Sequence, residues 1–164
     1  MRDAFNIFER AARIAASLSS AKPETLVDSD VGVHPFEIRN IHPKLPARVK
    51  KLFDDGYYAE STFAAFKFLD KTVATLSSVR DTGWKLMMDA FDEAKPKIKL
   101  NALKEISEID EQKGYRFIFA GATQAVRNPR GHEVEIIDDL DQCLDHLTFA
   151  SILLRRLEAA GYKI

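Results

Sequence analysis

Cysteine occurs once in this 164-residue chain, at Cys143, which excludes an intramolecular disulfide and any cysteine-based zinc site. The lone thiol fits a reducing compartment. No apolar run approaches the roughly 20 residues that a membrane span needs. The charged opening, with Asp3 and Glu9, is unlike a signal peptide. A cytoplasmic protein with no membrane attachment is therefore expected. Charge of one sign is also lacking: 24 basic residues against 25 acidic ones leave a net of -1, too little for a global field to gather nucleic acid. Any RNA or DNA contact must come from a local patch. No glycine-rich phosphate loop, nucleophile elbow or paired-carboxylate constellation is present. His146 near Cys143 finds no third ligand at a suitable spacing, so neither a metal nor a cofactor is expected.

What is present is helical periodicity. Hydrophobic residues at 46% beside charged ones at 30% describe a soluble, folded chain, long enough for one domain with a normal core. Phe5, Phe8, Ala12 and Ala15 recur at helical spacing in an opening helix. From Ser19 to Pro46 prolines and Gly32 break the pattern, giving an extended cap or linker in which Val31-Gly32-Val33 and Phe36-Glu37-Ile38 form a short ribbon. His34 and His42, each beside a proline there, are expected in solvent. Residues 1–43 are thus read as an N-terminal helix with an irregular extension, and residues 44–164 as a bundle of four to five helices.

Within that bundle Leu45, Val49, Leu52 and Phe53 form an apolar stripe ending at Gly56, with the basic cluster Arg48, Lys50 and Lys51 lying off it. A long helix follows from Tyr57 to Leu76, with Ala59, Phe63, Phe66 and Val73 on its buried side. Gly83 to Phe91 is a short apolar patch, and a polar stretch from Leu103 to Lys113 precedes the helix that starts near Tyr115. The last helix runs from Asp138 to Gly161, acidic at its start and basic near its end, as the helix dipole favours. Glu133 to Ile137 is the only strand-like alternation. The fold class is mainly α.

The stretch Arg127-Asn128-Pro129-Arg130-Gly131-His132 joins a guanidinium to an imidazole. Pro129 disfavours helical backbone at Asn128, so the incoming helix is expected to end near Arg127, and Gly131 frees the chain to turn His132 back toward it. With eleven arginines and four histidines in the chain, roughly 0.8 such pairs arise by chance, so spacing alone decides nothing. A helix-terminal arginine, an Asn-Pro stop and an exposed loop histidine explain the same residues.

Several features occur together: a His-Pro before the first basic helix, Leu52-Phe53-Asp54-Asp55-Gly56-Tyr57-Tyr58-Ala59-Glu60, Leu86-Met87-Met88-Asp89-Ala90-Phe91, and Phe119-Ala120-Gly121-Ala122 leading into Arg127-Asn128-Pro129 and His132-Glu133. In this combination, over about residues 41 to 160, the chain resembles the Ymh-type family within the HEPN superfamily. The resemblance implies a helical bundle that pairs about a two-fold axis. It also implies a metal-independent endoribonuclease signature, carried here by Arg127, Asn128 and His132, in a toxin–antitoxin or phage-defence setting with an antitoxin or defence protein as partner. A non-catalytic module of the same fold, binding RNA, a nucleotide or a protein, is the alternative. Arg130, Arg48, Lys50 and Lys51 are candidate RNA contacts, and Glu60 a candidate accessory acid. Against RNA binding stand Glu133, Glu135, Asp138, Asp139, Asp141 and Asp145, an uninterrupted acidic run after His132.

Overall fold

The computed structural model describes residues 32–133 and 135–164. The expected opening helix lies outside them. Chain contacts separate Met1–Gly32 from a unit formed by Val33–Ile164. Its elements are α1 (Pro35–Ile38), α2 (Ala47–Asp54), α3 (Tyr58–Ser77), α4 (Gly83–Ala90), α5 (Ile106–Ala122), a π-helical turn (Thr123–Arg127), α6 (Asn128–His132) and α7 (Leu140–Ala159). No strand occurs among the described residues, and the mainly α expectation holds.

Helix α3 is the axis of the bundle, packing against α2, α4, α6, α7 and the π-helical turn. Its Ala65, Phe66, Leu69 and Val73 are fully buried at the spacing that keeps one helical face inward. Leu147, Leu153, Leu154 and Leu157 of α7, Leu86 and Met87 of α4 and Phe119 of α5 close the core around them. Phe91 stacks on Phe119 with ring centroids 4.3 Å apart. Gly56, at φ 81°, makes the turn between α2 and α3 in a conformation that side-chain-bearing residues rarely adopt.

Four local expectations are corrected. Phe36-Glu37-Ile38 belongs to a helical turn rather than a ribbon, because His34 Nδ1 accepts the Phe36 N–H as a cap and Pro35 supplies helical φ at the first position. His42 is buried instead of solvated: its backbone N–H donates to Ser151 Oγ, and its Nε2 lies 3.0 Å from Glu158 Oε2. The polar stretch before Tyr115 is largely helix, started at Ile106 by a reciprocal capping box between Glu105 and Glu108. Glu133 to Ile137 pairs with no strand; the described part is an irregular connection to α7.

One buried side chain ties the long loop after α4 to the bundle. Gln112 donates from Nε2 to the carbonyls of Phe91 and Ile98 and accepts at Oε1 from the Leu100 N–H. All three partners are backbone groups that would otherwise be desolvated without a bond.

Candidate functional site

The helix does not stop at Arg127. Asn128 is helical, at φ -65° and ψ -45°, although the following proline disfavours that backbone. The Asn128 N–H donates to the Thr123 carbonyl five residues back, a π turn in place of an α turn. This widening has a physical cause. A proline inside an α-helix collides with the carbonyl four residues before it, and an inserted residue moves that carbonyl aside. The helix then continues through Pro129 as α6 and ends at His132. The expected loop between Arg127 and His132 is therefore a helical rod.

Arg127 and His132 are brought onto this rod but not into contact. Five α-helical steps of about 100° set their side chains about 140° apart around the axis. No hydrogen bond or ion pair joins them among the described residues. The Arg127 guanidinium leans over the Phe63 ring, 5.7 Å from its centroid, and its Nη1 donates to Asn128 Oδ1 at 3.0 Å. Asn128 Nδ2 in turn donates to Gln124 Oε1 at 3.2 Å. Asn128 thus orients Arg127. The Arg127 Nε–H is buried and has no acceptor, a deficit that costs about 1–3 kcal/mol in an ordinary interior. His132 is exposed.

The other candidates separate into two groups. Arg130 is occupied inside the fold: Nε and Nη2 donate to the two oxygens of Asp138, and Nη1 donates to the Val126 carbonyl. With its side chain 6% exposed and that of Asp138 1%, this pair holds the connection after His132 onto the rod and leaves Arg130 no free donor face for RNA. Lys50 pairs with Asp54 and Lys51 with Asp55, each one helical turn on. The hydrogen bonds from His34 and Lys50 hold the Asp54 carboxyl below its usual range, and the bond to Asp55 raises the Lys51 ammonium. These two lysines are compensated locally. Arg48 and Glu60 are exposed and line a groove between α2 and α3.

That groove, of about 480 Å³, is bordered by Arg48 and Leu52 on α2 and by Glu60, Phe63, Lys67 and Lys71 on α3. A smaller recess of about 80 Å³ begins beyond Phe63 and reaches Arg130 and Ile136. Glu60 and Phe63 are shared by both. Lys67 Nζ lies 5.7 Å from the Phe63 centroid, and a Cβ added to Gly131 would sit 2.9 Å from Phe63 Cε2, so any larger residue there would push the ring aside. Phe63, Lys67 and Lys71 were missed in the sequence because α3 reads first as a core helix, and Gln124 because the π turn that sets it beside Asn128 leaves no periodic signal. The four-residue spacing of Phe63, Lys67 and Lys71 was the available signal.

Four members of the acidic run after His132 are engaged by the fold, while Glu133 and Glu135 stay exposed. Asp138 binds Arg130, Asp139 caps α7 by accepting the Gln142 N–H, and Arg39 reaches Asp145 at 3.0 Å and Asp141 at 3.8 Å. His146 Nδ1 lies 3.3 Å from Arg130 Nη2, and burial followed by the Arg130 charge lowers its pKa against the opposing pull of Asp138 and Asp145. Among the described residues, no three of His, Cys, Asp and Glu are grouped to hold a metal ion, and no helix is long and apolar enough to cross a membrane.

Fold and site together define a helical-bundle protein that carries an arginine on a π turn beside a basic, aromatic groove. The chain belongs to the family described as protein of unknown function (Hypoth_ymh), which it matches over residues 39–157. That span takes in α2 through most of α7 and every candidate site residue named above. No curated protein and no solved structure matches the chain.

Proposed function

We propose that this protein is a HEPN-type endoribonuclease, cleaving RNA without a metal ion and working as a homodimer, in a toxin–antitoxin or phage-defence role. The observation that carries the reading is the state of Arg127. A π turn fixes it, Asn128 orients it, and a buried N–H on its guanidinium lacks an acceptor. Orphaned donors and π turns are both uncommon in ordinary helices and concentrate at functional sites. A non-bridging phosphate oxygen is the acceptor such a group suits.

In the proposed reaction an imidazole removes the proton from a ribose 2′-hydroxyl. The 2′-oxygen then bonds to the adjacent phosphorus, and the bond from phosphorus to the 5′-oxygen breaks. A protonated imidazole supplies the leaving oxygen with its hydrogen. The products are a 2′,3′-cyclic phosphate and a 5′-hydroxyl. Arg127 stabilises the charge that grows on the phosphoryl oxygens. Histidine suits both proton transfers, since its unperturbed side chain titrates at about 6.5. One imidazole does not reach both sides of an in-line displacement, so His132 from each of two copies is required. Phe117 and Ile118, exposed on the rod that leads to Arg127, are consistent with a second copy covering that side.

The test is incubation of single-stranded and structured RNA with the protein in excess EDTA. Wild type is expected to leave 2′,3′-cyclic phosphate ends, and His132→Ala and Arg127→Ala each to lower the rate at least about 100-fold. Activity abolished by EDTA, or retained by both variants, overturns the proposal. RNA bound but never cleaved favours a binding module instead.

A further inference from the structure

We infer that the groove between α2 and α3 is a binding channel for single-stranded RNA, leading along α3 to Arg127. Glu60, Phe63, Lys67 and Lys71 succeed one another at three- and four-residue intervals, so they stand in one row on the helix surface. Arg48 and Leu52, one turn apart on α2, form the facing wall. Within that row Phe63 meets the site, since the Arg127 guanidinium lies over its ring 5.7 Å from the centroid.

Charge selects the occupant. Arg48, Lys67 and Lys71 have no carboxylate partner among the described residues, whereas Lys50 and Lys51, outside the groove, do. Three uncompensated cations against one carboxylate, Glu60, make a local positive channel on a chain with no overall excess of charge. Between the cations the lining is apolar: Leu52, Phe63, Ala64 and Phe68. Alternating cations and aromatic surface suit a strand whose phosphates and bases alternate in the same way, and a volume of about 480 Å³ admits only a short length of one strand. An A-form duplex, whose grooves are read from outside, does not enter it.

The choice of RNA over other polyanions rests on the reading of Arg127 and His132 as a nuclease pair, so binding and cleavage are measured separately. Binding of a labelled 12-nucleotide single-stranded RNA is followed by anisotropy on the His132→Ala background. Adding Lys67→Ala and Lys71→Ala together is expected to raise Kd at least about tenfold and to flatten the logarithmic salt dependence by about 1.4, two phosphate contacts at roughly 0.7 each. The charge-matched control Lys95→Ala with Lys113→Ala, at exposed positions outside the groove, should change Kd less than about twofold. Equal losses in both double variants, or none in either, overturn the channel whatever the cleavage assay returns. Duplex RNA binding as tightly as the single strand also overturns it. Displacement of the strand by equimolar mononucleotide would reassign the groove to a free nucleotide and overturn the choice of occupant. If the groove variants lose binding while no RNA is cleaved under any condition, the channel stands and the nuclease reading fails.

Discussion

Arginine changes its meaning with its neighbours in this molecule. Arg130 and Arg127 are three residues apart, yet one closes a buried pair with Asp138 and the other keeps an N–H without an acceptor. The difference decides which can meet a ligand: a bidentate guanidinium in a closed pair must first break that pair. His146, against the same pair, adds a pH dependence. Its pKa is lowered in the fold by burial and by Arg130, so the folded state takes up fewer protons than the unfolded chain just below pH 6.5, roughly the unfolded histidine value. The stability linked to neutral His146 is thus present above that value and lost as pH falls from there through the folded pKa. Urea unfolding at pH 7.5 and 5.5 should show wild type losing more stability on acidification than His146→Gln. Equal losses would remove His146 as the sensor.

At the scale of elements, the rod from Ile106 to His132 is the part most dependent on a single local device. The π turn lets a helix pass through Pro129, and in doing so it sets the angular position of Arg127 relative to everything before it. Replacing Pro129 by alanine removes the steric reason for the turn and restores an N–H for regular α bonding. Pro129→Ala should therefore hold or raise the thermal midpoint while lowering RNA cleavage about tenfold or more, because Arg127 rotates off Phe63. Unchanged cleavage would mean that the turn does not position the arginine. Two other helix boundaries were legible from capping residues: Gly56 and Asp139 sit where their chemistry predicts an end and a start, whereas the capping box that starts α5 at Ile106 was overlooked. The break expected at Asn128 was not observed, since preproline sterics describe the dipeptide and a π turn relieves them from a distance.

For the whole molecule, the proposed reaction makes activity a property of two chains. Mixing wild type with a ninefold excess of His132→Ala, under conditions where subunits exchange, puts most wild-type chains in mixed pairs with one imidazole. Cleavage per wild-type chain should then fall by about tenfold, and a rate unaffected by the excess would show that one chain suffices. Two-fold pairing is also a simple answer to the rod, on which no hydrogen bond or ion pair joins Arg127 to His132 within one chain.

Periodicity and composition by themselves determined that this protein is a mainly helical bundle, because apolar spacing fixes which face of each segment must leave water whatever its neighbours are. It was the combination of motifs resembling a known family, and not periodicity, that singled out Arg127 and His132 as chemistry worth testing. Tertiary structure decided the case of Arg130, which looks as available along the chain as Arg48, Lys67 and Lys71, because a charge is neutralised by what stands a few ångströms away in space. Asp138 reaches Arg130 through the fold, while local helical pairs occupy Lys50 and Lys51. Packing of α2 on α3 likewise created the groove, since neither helix alone has two walls.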